Sequence, residues 1–281
     1  MRPLEVSGLT KTYPGFLLDH VSFSLETGKI TGFIGRNGAG KSTTLKSLLN
    51  FVHPDSGEIS FFGLNFAEHE QDIKSRIGYV AGAFDQYGKK KLKTISAVTA
   101  RFYPRWDDAV YRACMQRFHL DENKTPETLS AGMKVKYALT LALSHGAELL
   151  ILDEPTSGLD PVSREDLLEV FLDLCEEGKT ILFSTHITSD LEKCADHILY
   201  IQNGKLIADA AIEDFVNNYR LVQFETEKPD ARYAEKLCGV RRAKTGATGL
   251  ISTEDAGSID LPAQPADLET IMVHLEKEGT V

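Results

Sequence analysis

The stretch Gly35-Arg36-Asn37-Gly38-Ala39-Gly40-Lys41-Ser42 decides the fold of this chain. It follows the apolar run Ile30-Thr31-Gly32-Phe33-Ile34, which is typical of a buried strand, and it leads into a helix predicted over residues 41–50. Glycine has no Cβ, so backbone N–H groups can converge on an anion, and the positive end of the helix adds to the attraction. A strand, a glycine-rich loop and a helix in this order predict a binding site for nucleotide phosphates.

The side chains of this loop have the chemistry that a magnesium nucleotide needs. We expect residues 35–42, together with Thr43, to hold ATP. Lys41 would reach the β- and γ-phosphates, and the Ser42 hydroxyl would bind Mg²⁺. A glycine-rich turn without a ligand is the alternative, and the strand and helix on either side of the loop argue against it.

A second motif, Glu148-Leu149-Leu150-Ile151-Leu152-Asp153-Glu154, is an apolar strand that ends in two acids. Carboxylates at the carboxyl end of a parallel strand lie at the sheet edge where ligands bind. Asp153 suits Mg²⁺, directly or through water, and Glu154 suits orienting and activating the attacking water. By itself such a pair would more often be a solvated turn, but beside a phosphate loop it favours ATP hydrolysis.

Composition limits the classes of function. The 281 residues carry a net charge of −10, which argues against broad nucleic-acid binding. No apolar run approaches the length of about 20 residues that a membrane helix needs, and the N-terminus has no apolar signal core. The four cysteines (Cys114, Cys175, Cys194 and Cys238) are too scattered for a zinc or redox pair. We therefore expect a soluble cytoplasmic chain with buried free thiols.

The pattern of apolar residues predicts an α/β organisation. Strand-like and helix-like segments alternate from Leu149 to Ala195, which indicates a parallel sheet covered by helices. Residues 84–128 read as a helical insertion that contains the aromatic run Phe102-Tyr103-Pro104-Arg105-Trp106. The dipeptide Asn203-Gly204 suits the turn of a β-hairpin. A composition shift after Tyr219 indicates a small separate α/β appendage.

At this point the sequence resembles the ATP-binding-cassette (ABC) ATPases over roughly residues 4–215. The run Leu129-Ser130-Ala131-Gly132-Met133 is similar to the family signature Leu-Ser-Gly-Gly-Gln. The resemblance implies that Ser130 and Gly132 contact ATP held by the opposite subunit of a dimer. A serine that only caps a helix is the alternative, and the two interpretations are compatible.

Three further positions match the family. The resemblance implies that Asp160 lies in a loop that crosses the dimer interface and that His186 is the switch histidine on the γ-phosphate. It also implies that Tyr13 stacks on adenine, although a tyrosine buried in the core is the alternative. Together with the phosphate loop, these residues predict a hydrolytic site that a second chain completes.

The resemblance implies a P-loop NTPase fold of the ABC type, with a parallel-sheet core, an antiparallel β subdomain and a helical subdomain. We expect the nucleotide-binding domain over residues 1–219, with the helical insertion at about 84–145, and the appendage over residues 220–281. The implied function is the ATP-hydrolysing subunit of an ABC transporter of the bacterial antibiotic- and peptide-exporter branch. A soluble ABC ATPase that acts as an assembly scaffold or regulatory ATPase is the alternative.

The implied partners are a second ABC ATPase subunit, identical or different, and separate membrane permease subunits. The chain would then lie at the inner face of the cell membrane. The aromatic insertion would dock the permease, or its aromatic side chains would pack the helical subdomain; the sequence favours neither.

One position departs from the family pattern. Gly82 stands where the family has a glutamine, or an acid in some exporters, that reaches Mg²⁺ and links the site to the membrane partner. Glycine has no side chain for this role. Asp85 or Gln86 could supply it from a displaced loop, and we hypothesise that Gln86 takes part of it.

Overall fold

The computed structural model describes residues 2–81, 87–226, 233 and 235–278. Its strands are β1 Leu4–Tyr13, β2 Phe16–Ser24, β3 Ile30–Ile34, β4 Ser56–Phe61, β5 Leu64–Asn65, β6 Ile77–Ala81, β7 Leu149–Asp153, β8 Thr180–Thr185, β9 His197–Gln202, β10 Lys205–Ala211, β11 Tyr219–Phe224, β12 Leu237–Arg242, β13 Ala247–Ser252 and β14 Ala263–Pro265. Its helices are α1 Lys41–Leu48, α2 Phe66–Arg76, α3 Leu92–Ala100, α4 Asp108–Arg117, α5 Ala131–Ser144, α6 Pro161–Glu176, α7 Thr188–Cys194, α8 Ile212–Asn217 and α9 Leu268–Glu278.

A six-stranded sheet forms the centre of the molecule, in the order β10-β9-β3-β8-β7-β6. All neighbouring strands in it are parallel except the edge pair β10 and β9. The parallel strands are largely buried and mostly apolar because helices or a second sheet cover both faces. Leu149–Leu152, for example, are completely buried. The predicted parallel-sheet core is therefore confirmed.

The two faces of the central sheet are covered differently. One face packs against α1 and an antiparallel sheet of order β2-β1-β4-β5, where Leu4, Leu9 and Phe61 share a core with Phe33 and Leu45. The other face packs against helices α5, α6 and α7. The antiparallel sheet matches the antiparallel β subdomain that the family resemblance implies. Helices α3, α4 and α5, which share one core, match the helical subdomain.

The parallel register brings three chain segments to one edge of the central sheet. Strand β3 ends beside β8, with Ile34 opposite Thr185, and β8 lies beside β7, with Ser184 opposite Asp153. The phosphate loop, the pair of acids and His186 each follow the carboxyl end of one of these strands. Because parallel strands end together, residues that are far apart in sequence meet at this edge.

The predicted hairpin after β9 is confirmed. Asn203 and Gly204 have φ values of 48° and 79°, the positive values that a type I′ turn requires at both positions. A Cβ on Gly204 would lie 1.8 Å from the Leu17 carbonyl oxygen, so only glycine fits this approach. The turn thereby joins the edge of the central sheet to β2.

The C-terminal region forms a third sheet, in the order β12-β13-β11-β14, and ends in α9. The helix packs against the rest of the chain. Leu268, Ile271 and Met272 are buried in the same core as α7 and β9. The amphipathic face that the sequence shows in α9 is thus explained by docking onto the cassette; the domain boundary at residue 219 stays a prediction.

Candidate nucleotide site

The phosphate loop is held tightly by its own lysine. The Lys41 side chain is 5% exposed, and its Nζ donates hydrogen bonds to the Gly35 carbonyl at 2.7 Å and the Arg36 carbonyl at 3.4 Å. A Cβ on Gly35 would lie 2.3 Å from the Ile201 carbonyl oxygen, so the loop packs directly on β9. Gly38 and Gly40 have positive φ values of 84° and 119°, which glycine adopts without strain. The loop's shape is therefore fixed by glycine and by Lys41.

Asp153 and Ser42 lie next to each other at the sheet edge. The Ser42 hydroxyl is 3.5 Å from Asp153 Oδ1, and the Ser184 hydroxyl donates to the same oxygen at 2.7 Å. Burial raises the pKa of Tyr79 to about 12, and the Asp153 charge contributes to this increase. The two predicted magnesium ligands thus meet, and Ser184 orients the carboxylate.

Glu154 occupies the centre of the site. Its backbone has a φ of +52°, which is uncommon for a residue other than glycine, and its N–H is held by the carbonyl and the hydroxyl of Ser184, each at 3.1 Å. One carboxylate oxygen lies 3.5 Å from Lys41 Nζ, and the other lies 2.8 Å from His186 Nδ1. The structure therefore brings the two predicted catalytic residues into direct contact.

The signature residues make contacts that are separate from those of the phosphate loop. Ser130 caps α5 by accepting a hydrogen bond from the Met133 N–H at 3.3 Å. Gly132 packs near Ser163, to whose hydroxyl Asp160 is hydrogen-bonded at the start of α6. Among the described residues, no hydrogen bond or ion pair joins this group to the phosphate loop. Within one chain, Ser130, Gly132 and Asp160 form a group of their own.

Tyr13 lies at the end of β1 and is 39% exposed, so it is not the buried core tyrosine that was the alternative. Lys11 Nζ lies 5.8 Å from the centre of its ring. The ring face is available for stacking, which stays a prediction. Gly82, Asp85 and Gln86, which bear on the missing glutamine, lie outside the described residues.

Two residues of the site region were not predicted. Ser184 contacts both acids, and a signal was available, since it precedes Thr185-His186 on the strand next to Asp153. Glu276 of α9 lies 4.0 Å from Arg36 and accepts a hydrogen bond from the Tyr200 hydroxyl at 2.9 Å. No local pattern marks Glu276, because the chain folds back over about 240 residues to place it there.

Comparison with known proteins agrees with this geometry. The family model described as ABC transporter matches residues 18–157. Over 280 residues the chain is 30% identical to the ABC transporter ATP-binding protein YtrB of Bacillus subtilis, covering 98% of this chain and 96% of that protein. This chain belongs to the ABC transporter ATP-binding proteins.

Two further similarities support the assignment. The bacitracin transport ATP-binding protein BcrA of Bacillus licheniformis is 33% identical over 227 residues, which are 79% of this chain and 74% of BcrA. A solved structure of an ATP-binding subunit of an ABC transporter superposes with a TM-score of 0.68 at 30% identity, covering 75% of this ABC ATPase and 90% of that chain. The ABC cassette fold is therefore confirmed.

The family establishes the activity. This ABC ATPase binds and hydrolyses ATP as a subunit of a transporter, and such subunits work together with membrane permease partners. In the described part of the chain, no helix has the length and apolar character needed to span a membrane. No observation supports the alternative of a non-transport scaffold.

Proposed function

We propose that this chain is one of a pair of ATPase subunits that power export, each hydrolysing Mg²⁺-bound ATP with residues from both chains. The observation that carries the proposal is the convergence of Lys41, Asp153, Glu154 and His186 at one sheet edge, while Ser130 lies elsewhere. One chain thus presents the hydrolytic half of a site and, separately, the N-terminus of α5, which could bind an anion.

The Asp153 and Ser42 oxygens fit magnesium. Mg²⁺ prefers hard oxygen ligands and keeps several waters, so it needs only one or two protein oxygens besides the phosphates. This agrees with the finding that the described residues hold no cluster of three or more His, Cys, Asp or Glu that could hold a metal. The ion would neutralise charge on the phosphates, and Ser184 would keep the carboxylate turned toward it.

Glu154 and His186 suit the chemical step. Glu154 would orient the attacking water and accept its proton, and Lys41 would stabilise charge on the β- and γ-phosphates. His186 Nδ1 lies 2.8 Å from Glu154 Oε2, and a hydrogen bond between them would hold both side chains in place beside the attacking water.

The second chain would complete each site. Ser130 and the N–H groups at the start of α5 form an anion-binding end, which in a head-to-tail pair would meet the triphosphate on the opposite phosphate loop. Asp160 would lie between the two chains, and Tyr13 would stack on the adenine. The two chains would be identical or different, since both cases allow the head-to-tail arrangement.

Mixing two inactive variants tests this arrangement. Lys41→Ala removes the phosphate lysine, and Ser130→Arg blocks the signature. In a head-to-tail pair of identical chains, each site combines Lys41 of one chain with Ser130 of the other. A mixed dimer of the two variants therefore has one site with both substitutions and one site with neither. ATP turnover should therefore return when the two are mixed, while each alone stays inactive. If mixing restores nothing, although wild-type and variant chains pair, each site lies within one chain or needs a different partner subunit.

A groove between the cassette and the helical insertion would dock the permease. Its volume is about 400 Å³, and its walls include Phe51, Tyr79, Tyr103 and His145. Phe51 is 61% exposed and Phe102, close by in sequence to Tyr103, is 76% exposed, whereas Tyr103 stacks on His145 with ring centres 4.0 Å apart. Some of the aromatic residues therefore pack within the subdomain, and others are exposed to solvent. The groove between them offers an apolar surface to a partner.

Membrane association tests the docking and the localisation at the inner face of the membrane. The similarity to a bacitracin transport protein supports export, and the permease would be a separate polypeptide. In membranes that contain the permease, wild-type protein should sediment with the membrane fraction and Phe51→Asp should not. Leu172→Asp, at another exposed apolar residue, is the matched control. Equal sedimentation of all three would contradict docking at this groove.

A further inference from the structure

We propose that Asp190 is a positioning residue for ATP hydrolysis, because its buried carboxylate joins the three chain segments that carry the candidate catalytic and interface residues. The inference rests on the proposed roles of Glu154 and His186 and adds a residue that does not itself touch ATP.

Asp190 is buried together with two polar partners. Its side chain is 1% exposed, and its Oδ1 lies 3.9 Å from Arg164 Nε. The Thr156 hydroxyl and the Arg164 guanidinium are the main groups that stabilise the charged form of Asp190. Both Asp190 oxygens, Arg164 Nε and Thr156 Oγ1 are buried, and none makes a hydrogen bond of ordinary geometry within the described residues. The three groups form one polar cluster around the buried Asp190 carboxylate.

Each member of the cluster lies close in sequence to a residue of the proposed site. Thr156 comes two residues after Glu154, and Asp190 comes four residues after His186. Arg164 is one helical turn beyond Asp160 at the start of α6, and its N–H bonds to the Asp160 carbonyl at 3.0 Å. The cluster therefore connects the loop behind Glu154, helix α6 and helix α7 at a single point.

The cluster is a poor means of stabilising the fold. Burial raises the pKa of Asp190, which means that the carboxylate loses hydration that its partners only partly replace. Apolar residues of similar volume in place of a buried ion pair are often neutral or stabilising. The attraction between Arg164 and the buried Asp190 charge, however, depends on their distance, so it restricts how α6 and α7 lie against each other. Positioning explains the presence of this pair better than stability does.

The surrounding charges do not offer another function. Lys193 of α7 pairs with Glu165 of α6 at the surface, and these are the other charged groups acting on Asp190. Asp190 lies in the first turn of α7, where a negative charge is favoured, but α7 has only seven residues. The Asp190 side chain is 1% exposed, so a substrate has no access to it. Its effect must pass through the segments that it joins.

The first experiment is Asp190→Asn, which keeps the shape and removes the charge. We expect kcat to fall about tenfold or more, since misplacing catalytic groups by a fraction of an ångström is costly, while the KM for ATP changes less than about twofold. Glu165→Gln, which removes an exposed carboxylate beside the cluster, is the matched control and should retain kcat. An unchanged kcat in Asp190→Asn would overturn the proposal.

A second variant separates positioning from folding. The double substitution Asp190→Leu with Arg164→Met replaces the pair by apolar residues and should return the thermal midpoint to near the wild-type value. We expect kcat to stay low in this stable protein. If kcat recovers together with the midpoint, the cluster is structural only and the proposal is wrong. Glu154→Gln, measured in parallel, tests the proposed site separately from the role of Asp190. If Glu154→Gln retains turnover, the proposed role of Glu154 is wrong.

Discussion

Lys41 Nζ lies 3.5 Å from Glu154 Oε1, so the cation of the phosphate loop and the candidate water-orienting acid are paired. Both groups are largely shielded from water, which strengthens their interaction relative to an exposed pair. A bound triphosphate would compete with Glu154 for the same ammonium group. The acid therefore affects both the chemical step and the affinity for ATP, in opposite directions.

Glu154→Gln should separate these two effects. Hydrolysis should fall by about 10²-fold or more, because a catalytic acid–base group is lost. ATP should bind at least as tightly as in the wild type, since Lys41 loses its competing carboxylate, and a closed dimer should accumulate. Nucleotide binding by titration calorimetry and phosphate release measure the two quantities. Lys41→Ala provides the contrast, because it should weaken ATP binding itself; undiminished turnover in Glu154→Gln would remove that residue from its role.

Ser184→Ala should impair the site without removing any predicted ligand. The hydroxyl donates to the Asp153 carboxylate at 2.7 Å and accepts from the Glu154 N–H at 3.1 Å. Its loss leaves the carboxylate without this donor, whereas the Glu154 N–H keeps its bond to the Ser184 carbonyl. We expect a loss of about 1–3 kcal/mol in the free energy of unfolding, from buried groups left unpaired. The Mg²⁺ concentration needed for half-maximal ATP turnover should rise severalfold. A magnesium titration identical to that of the wild type would show that Ser184 does not orient Asp153.

His145 should make the fold sensitive to acid. Burial lowers the pKa of its imidazole below the ordinary value of 6.5, and its Nδ1 lies 3.2 Å from the Ser75 carbonyl oxygen. The unfolded chain therefore binds the proton more readily than the folded chain does. The free energy of unfolding should fall as the pH drops through 6.5. Thermal midpoints at pH 7.5 and about pH 5.5 check this, and His145→Phe should show a smaller difference between them than the wild type.

Glu276→Gln should increase the affinity for ATP. Glu276 is held by the Tyr200 hydroxyl, lies 4.0 Å from Arg36 of the phosphate loop, and borders the same cavity as His186. Its negative charge repels the triphosphate and pairs with Arg36, which would otherwise attract the phosphates. Because Arg36 is 70% exposed, we expect only about a two- to fivefold decrease in the dissociation constant, smaller at high salt. Glu254→Gln, an exposed acid away from this cavity, is the control; equal constants in the two variants would contradict the prediction.

Local sequence patterns predicted most of the fold. The strand that enters the phosphate loop, the acid-terminated strand β7 and the Asn203-Gly204 hairpin all appear where the sequence placed them. These features depend on neighbouring residues, because glycine conformations, strand composition and helix starts are set over a few positions. The two motifs predicted Lys41, Asp153 and Glu154 as site residues, and the structure brings these three together. The family resemblance added His186, which contacts Glu154.

The sequence by itself determined that this chain has a phosphate loop, two acids after a strand and a signature segment that starts a helix. Only the tertiary structure decided that Ser184 contacts the Asp153 carboxylate and the Glu154 N–H, that Asp190 is buried beside Arg164, and that α9 reaches the phosphate loop. The physical reason is distance along the chain. Such contacts depend on how whole elements pack, and a buried polar pair or a docked helix has no short pattern that marks its partner.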